Sequence, residues 1–191
     1  MKRLILASAS PRRKQLLEQL GLDFEMYPSN IDEKINPQLE PRQQVEMLSK
    51  QKALFISSKF HNTIILAADT MVVLQNEVIG KPKDAEDAKQ MLGKLSGTYH
   101  SVMTGFTLID TDTKKTVTKL SETKVWFRRL TAKEIAAYVT RDKPFDKAGA
   151  YAIQETASIF VEKIEGDFFG AVGLPVFLVA KELRRFGIAV L

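Results

Sequence analysis

Cysteine is absent from the 191-residue chain, and histidine occurs only at His61 and His100. Disulfides and thiolate metal sites are thereby excluded, and two histidines so far apart do not form a helical metal pair. Any metal must bind mainly through oxygen, which points to Mg²⁺ or Mn²⁺. No stretch approaches the roughly eighteen apolar residues of a membrane span, and only Lys2 and Arg3 precede an apolar run too short for a signal peptide. The expectation is a soluble, cytoplasmic protein with no membrane partner. Dense basic tracts, basic segments interleaved with aromatics, repeats and low-complexity stretches are missing as well. The net charge of +5 fits nucleic acid, an anionic membrane surface or a small polyanion, but its even spread leaves no focused face for specific nucleic acid.

What the chain does contain is an ordinary hydrophobic share, 45%, with few prolines and glycines. That suffices for a core in one domain over residues 1–191, or in two small lobes around a cleft. Leu4 to Leu6 reads as a buried strand, followed by a helix with apolar positions Leu16, Leu17 and Leu20. Ser10 is its N-cap, Pro11 its first residue and Gly21 its close. Asp23 to Tyr27 reads as a strand and Pro28 to Pro41 as a polar segment containing Asp32 and Glu33. Pro41 to Phe60 is a long helix with Val45, Leu48, Phe55 and Ile56 on one face. Thr63 to Ala68 is expected as a strand buried on both faces, with Asp69 and Thr70 at its far end. Met71 to Leu74 and Val78 to Ile79 make a hairpin, and Asp84 caps the helix that follows.

Tyr99 to Ile109 and Val117 to Leu130 form a long antiparallel hairpin. Thr131 and Glu134 have capping-box spacing and open a further helix. Tyr151 to Gln154 and Ser158 to Ile164 carry strand composition, Gly166 and Gly170 read as turn residues, and a last helix covers Pro175 to Phe186. The fold class is α/β with a mixed sheet.

Three clusters fall where strands should end: Ser8-Ala9-Ser10-Pro11-Arg12-Arg13, Ala68-Asp69-Thr70 and Gly80-Lys81-Pro82. Arg12, Arg13 and Lys14 occupy a helix N-terminus, the positive end of the macrodipole, where three cations are misplaced unless an anion joins them or their side chains reach water. The first cluster, through Ser8, Ser10 and Arg13, is read as phosphate-binding. Lys52 lies within an apolar stripe, where it either runs its stem to the surface or meets an anion. Asp69 is either a strand-end cap or the carboxylate that holds a cation or activates water, as cleavage of a phosphoanhydride requires. Asp32 and Glu33 offer further oxygen ligands.

In order along the chain, Ser8 to Arg13, Ala67-Ala68-Asp69-Thr70, Gly80-Lys81-Pro82, Asp146 to Tyr151 with Ile153-Gln154, and Val172-Gly173-Leu174-Pro175 resemble the motifs of the Maf family, also called septum formation inhibitor proteins. The resemblance spans nearly the whole chain and is strongest to the branch of dTTP/UTP pyrophosphatases. It implies a Maf/Ham1-like, ITPase-like architecture of two lobes around a deep cleft, often as a homodimer. It also implies hydrolysis of a nucleoside triphosphate to the monophosphate and pyrophosphate with a divalent metal, a reaction suited to sanitising a nucleotide pool. Asp69 matches the catalytic position, and Arg12, Thr70 and Gln154 match the positions associated with dTTP and UTP selection. Glu33, Lys52 and Lys81 match metal and triphosphate contacts, with Asp69 and Glu33 as the metal pair. Gln154 carries both a donor and an acceptor to complement the O4 and N3–H edge of uracil or thymine. Phe168 and Phe169 either stack on a base or pack within the protein.

Two alternatives stand beside this reading. A non-enzymatic division regulator that binds protein or nucleic acid would need a basic or apolar face and no Asp69. A pyrophosphatase for 7-methyl-GTP or purine triphosphates would share the chemistry, but Arg12, Thr70 and Gln154 favour pyrimidines.

Overall fold

The computed structural model describes residues 2–33 and 36–190; Lys34 and Ile35 of the expected polar segment and the terminal Met1 and Leu191 lie outside the described residues. Leu4, Ile5 and Leu6 are buried and form β1 (Arg3–Leu6), which pairs in parallel with β2 (Glu25–Met26) and with β3 (Thr63–Leu74). From β3 onward the sheet is antiparallel, through β5 (Tyr99–Asp110), β6 (Thr116–Phe127) and β7 (Val161–Glu165), while β4 (Glu77–Ile79) folds back on the end of β3. Among the described residues this makes one seven-stranded mixed sheet in the order β2-β1-β3-β5-β6-β7, with β4 beside β3.

The period of two along a strand sends alternate residues of β3 to opposite faces. Ile65 and Ala67 meet Ala53 and Ile56 of α2 (Pro41–Ser57). Ile64, Leu66 and Ala68 meet Leu16 and Leu17 of α1 (Pro11–Glu18) and Val179 and Leu183 of α6 (Val176–Arg185). At the far end of the sheet, Val72, Val102, Val125 and Phe127 pack against α3 (Ala85–Leu95) and α4 (Ala132–Asp142). A fourth cluster joins Val45 and Leu48 of α2 to Met71, Val73 and Met103. The expected caps are present: Ser10 on α1, Asp84 on α3, and the Thr131 and Glu134 box on α4.

Several elements differ from expectation. β3 does not stop at Ala68 but runs through Asp69 and Thr70 to Leu74, so these two residues sit within a strand. Ten consecutive pairs with β5, from Ile64↔Asp110 to Val73↔Ser101, hold one edge of β3 straight through the polar positions. Phe55 is 41% exposed; it falls at the edge of the buried stripe of α2, and the Lys59 ammonium lies 4.2 Å from its ring centre. The second strand shrinks to Glu25 and Met26. Tyr151 to Gln154 is a turn between two short 3₁₀ segments, Ala148–Ala150 and Thr156–Phe160. Gly149 and Ala150 both have positive φ, 68° and 61°, which turns the chain away from extended pairing. The glycine-bearing stretch after β7 contains a helical turn, α5 (Phe168–Val172), in which the Asp167 carboxylate accepts from the Phe169 N–H. No helix among the described residues is long and apolar enough to cross a membrane.

Strand lengths open the site. β1 ends opposite Leu66, and β4 rejoins β3 only at Val72. Between them Ala67 to Met71 have β5 on one side and, among the described residues, no strand on the other. A cleft lies along that gap.

Candidate active site

The cleft has a volume of about 670 Å³. Ten of the residues singled out from the sequence line it: Ser8, Ser10, Arg12 and Arg13 from the β1–α1 turn, Glu33, Lys52 from α2, Asp69 and Thr70 from β3, Lys81 after β4, and Gln154. Asp32 does not line it, nor do Phe168 and Phe169, whose rings pack edge to face at 5.7 Å.

Lys52 turns inward and not to water, being 7% exposed. Its ammonium donates to Asp69 Oδ1 at 2.5 Å and lies 2.8 Å from Glu33 Oε1. The approach depends on a glycine. Gly105 is the cross-strand partner of Asp69, and a Cβ placed on it would lie 2.8 Å from the Val45 carbonyl oxygen of α2. With hydrogen there instead, the helix backbone packs directly on the sheet, and Lys52, two turns along, reaches the carboxylate. Asp69 and Glu33 thus converge on one cationic position. Among the described residues no group of three or more His, Cys, Asp or Glu side chains gathers as a metal cage. Two carboxylates open to a cleft do fit Mg²⁺ or Mn²⁺ of the kind that takes its other ligands from phosphate oxygens and water.

The opposite wall is built on Arg13. Its Nε donates to the Gly173 carbonyl at 2.9 Å, Nη1 to Ser8 Oγ at 3.3 Å and Nη2 to Thr70 Oγ1 at 3.0 Å. These acceptors are neutral, so they orient the guanidinium without cancelling its charge. Burial pulls the Arg13 pKa down from its ordinary value, with Asp69 opposing and neighbouring Arg12 reinforcing that effect. The three cations of the first helical turn therefore divide: Arg13 enters the cleft wall, Arg12 extends to 3.9 Å from Asp146 of the facing loop, and Lys14 pairs on the surface with Glu18 at 3.4 Å.

Gln154 lies exposed at the rim, on the turn that follows Tyr151. That turn is anchored from below. The Tyr151 hydroxyl is 2.6 Å from His100 Nε2, within a cluster of edge-to-face rings that includes Phe127. His100 is 1% exposed, its Nδ1 lacks a hydrogen-bond partner among the described residues, and burial lowers its pKa to about 4. Gly149 donates to the Gly80 carbonyl at 2.9 Å, tying this turn to the Lys81 loop.

Lys147, inside the Asp146 to Tyr151 motif, is a further cleft residue. Its ammonium meets Asp146 at 2.9 Å and Glu155 at 3.6 Å. Counting it, five cationic side chains face three carboxylates in the cleft lining, an imbalance suited to a polyanion.

A family model described as Maf-like protein matches residues 3–186. The chain is 50% identical to a dTTP/UTP pyrophosphatase of Alkaliphilus oremlandii, covering 97% of this chain and 96% of that one. It is 44% identical to a dTTP/UTP pyrophosphatase of Methanosarcina barkeri, over 100% and 97% of the two chains. Among solved structures it is similar to a HAM1 protein from Coxiella burnetii, with a TM-score of 0.55 and 14% identity over 97% of this chain and 100% of the other. That likeness carries the fold alone, in agreement with the expected Ham1-like architecture. The motif order, the cleft they build and the match over nearly the full length lead to one assignment: the chain belongs to the family of Maf-like proteins.

Proposed function

We propose that this protein hydrolyses dTTP and UTP to the monophosphate and pyrophosphate, and so removes these nucleotides, or modified pyrimidine relatives, from a precursor pool. The observation that carries the reading is the convergence of Asp69 and Glu33 on Lys52 in a cleft lined mainly by cations. The names of relatives at 44–50% identity over the whole chain support it.

In this reading the triphosphate lies between the α1 N-terminus, with Ser8, Ser10 and Arg13, and the ammonium groups of Lys52 and Lys81. Asp69 takes a proton from a water molecule as its oxygen bonds to the α-phosphorus. The bond from that phosphorus to the α–β bridging oxygen breaks, and the oxygen leaves with pyrophosphate. Lys52 holds Asp69 in register and keeps a positive charge beside the reacting phosphate. When bound at Asp69 and Glu33, Mg²⁺ or Mn²⁺ would draw charge from the phosphate oxygens. Arg12, Thr70 and Gln154 select the nucleotide. Cytoplasmic location and a homodimeric state belong to the same reading.

The test is pyrophosphate release from dTTP, UTP, CTP, ATP, GTP and 7-methyl-GTP, with Mg²⁺, Mn²⁺ and Co²⁺ compared and a chelator control. Turnover of dTTP and UTP well above the others, lost on chelation, is expected. Preference for a purine nucleotide, or no release from any, would reject the assignment.

A further inference from the structure

Thr104 lies in none of the motifs. It is fully buried on β5, directly across from Thr70 on β3. Its hydroxyl oxygen is 2.8 Å from the Gly170 carbonyl and 2.9 Å from the Thr70 hydroxyl. A threonine hydroxyl has one hydrogen to give and two lone pairs to receive with. A carbonyl can only accept, so Thr104 gives its hydrogen to Gly170, whose oxygen also takes the Gly173 N–H at 3.1 Å.

With that hydrogen committed, Thr104 meets Thr70 as an acceptor, and the hydrogen between them belongs to Thr70. Thr70 in turn accepts from Arg13 Nη2 at 3.0 Å. The direction of the whole chain is therefore fixed, from Arg13 through Thr70 and Thr104 to the Gly170 carbonyl. Thr70, part of the cleft lining, keeps one lone pair and no hydrogen.

This matters because a freely rotating hydroxyl is a poor discriminator of pyrimidines. It would donate to the bare N3 of cytosine as readily as it would accept from the N3–H of uracil or thymine. A hydroxyl whose hydrogen is held inside the protein reads donors alone, and meets cytosine N3 with lone pair against lone pair. We propose that Thr104 is a positioning residue for specificity: by holding the Thr70 hydrogen, it makes Thr70 an acceptor toward the cleft, matched to the N3–H that thymine and uracil share. The Gln154 amide N–H is then free to serve the O4 carbonyl on the same edge. This inference rests on the dTTP and UTP reading above.

UTP and CTP carry the same ribose and triphosphate, so the ratio of their kcat/KM values isolates the base edge. Thr104→Val keeps the shape, removes the internal acceptor and releases the Thr70 hydrogen. The UTP-to-CTP ratio is expected to fall about tenfold or more, chiefly through a gain for CTP, whereas Thr104→Ser restores the hydroxyl and keeps the wild-type ratio. Thr104→Cys, with a much weaker donor and acceptor, is expected to lower the ratio in the same sense and serves if the valine variant does not fold. An unchanged ratio in a folded valine or cysteine variant, an equal loss for both nucleotides, or a fallen ratio in the serine variant would overturn the role of Thr104 while leaving the pyrophosphatase reading intact. Failure of the wild type to release pyrophosphate from UTP and dTTP would instead reject that reading, and this inference with it.

Discussion

Replacing Asp69 and replacing Lys52 are unequal changes. Asp69→Asn keeps the shape, and the Lys52 ammonium retains Glu33 at 2.8 Å. It is expected to abolish pyrophosphate release with little change in thermal midpoint, because an amide neither accepts the proton nor balances a cation. Full activity in the folded variant would remove Asp69 from the chemistry. Lys52→Met instead leaves a carboxylate that is only 6% exposed without its partner. It is expected to cost about 3 kcal/mol or more in denaturant unfolding as well as activity on dTTP and UTP alike. Lys81 is exposed, so Lys81→Met should lower activity on both nucleotides at nearly unchanged stability; an effect confined to one base would assign it to base reading. Gln154, exposed at the rim, should behave in the opposite way. Gln154→Ala is expected to lower the dTTP-to-CTP ratio of kcat/KM by about tenfold with stability within about 0.5 kcal/mol of wild type, and an unaltered ratio would exclude it from recognition. These chemical residue types were legible in the sequence because their motifs carry them. Thr104 and Gly105 were not, because a threonine and a glycine inside a β-branched strand pattern look like any others until a cross-strand neighbour is known.

At the scale of elements, the placement of α2 on the sheet decides whether Lys52 reaches Asp69. A methyl group on Gly105 would press on backbone atoms at Val45 and Glu46, the nearest at 2.8 Å, and helix backbone cannot rotate aside as a side chain can. Gly105→Ala is therefore expected to destabilise by roughly 1–3 kcal/mol and to lower kcat more than the stability loss explains. Wild-type activity and stability would show that the helix can shift without disturbing the site. The helices and the long hairpin were readable from periodicity and caps. Besides the shortened Asp23 to Tyr27 strand and the Ser158 to Ile164 strand, whose first three residues are 3₁₀, two strand assignments differ for separate reasons. Tyr151-Ala152-Ile153 has strand composition, but the left-handed backbone at Gly149 and Ala150 turns it into a buried anchor for Gln154. Asp69 and Thr70 look like the end of a strand because polar residues usually are; here Lys52, Arg13 and Thr104 satisfy their side chains and the strand continues.

The whole molecule responds to pH through His100. Its folded pKa of about 4 lies below the ordinary 6.5 because of burial, so the unfolded chain binds the proton more tightly. The stabilisation tied to its neutral form is fully present above about pH 6.5 and is lost as pH falls toward 4, by up to roughly 3 kcal/mol. Despite some desolvation, hydrogen bonds from Lys2 and the Asp112 and Thr113 backbone hold Asp110 down to about 2, and those from Arg128 and Thr131 do the same for Glu134. Their contributions are lost at lower pH, between the ordinary carboxylate range and about 2. Urea unfolding of the wild type should therefore show a falling midpoint from pH 6.5 to 4, and His100→Gln should flatten it there; an equally steep fall in the variant would place the titration elsewhere.

β3 and β5 each supply residues to all four core clusters. The strand that carries Asp69 and Thr70 is consequently shared by every part of the core, and no local opening frees it. Deuterium exchange of the Asp69 amide, which the alternation of the ladder turns toward β5, is expected to proceed only through global unfolding and to be among the slowest in the chain, whereas the Thr70 amide faces the gap beside β3. The turn bearing Gln154, outside the ladder, is expected to exchange faster, through smaller openings. If the proposed roles hold, the cleft joins a floor as durable as the protein itself to a rim whose turn opens at lower cost, so that a base can enter and leave without disturbing Asp69.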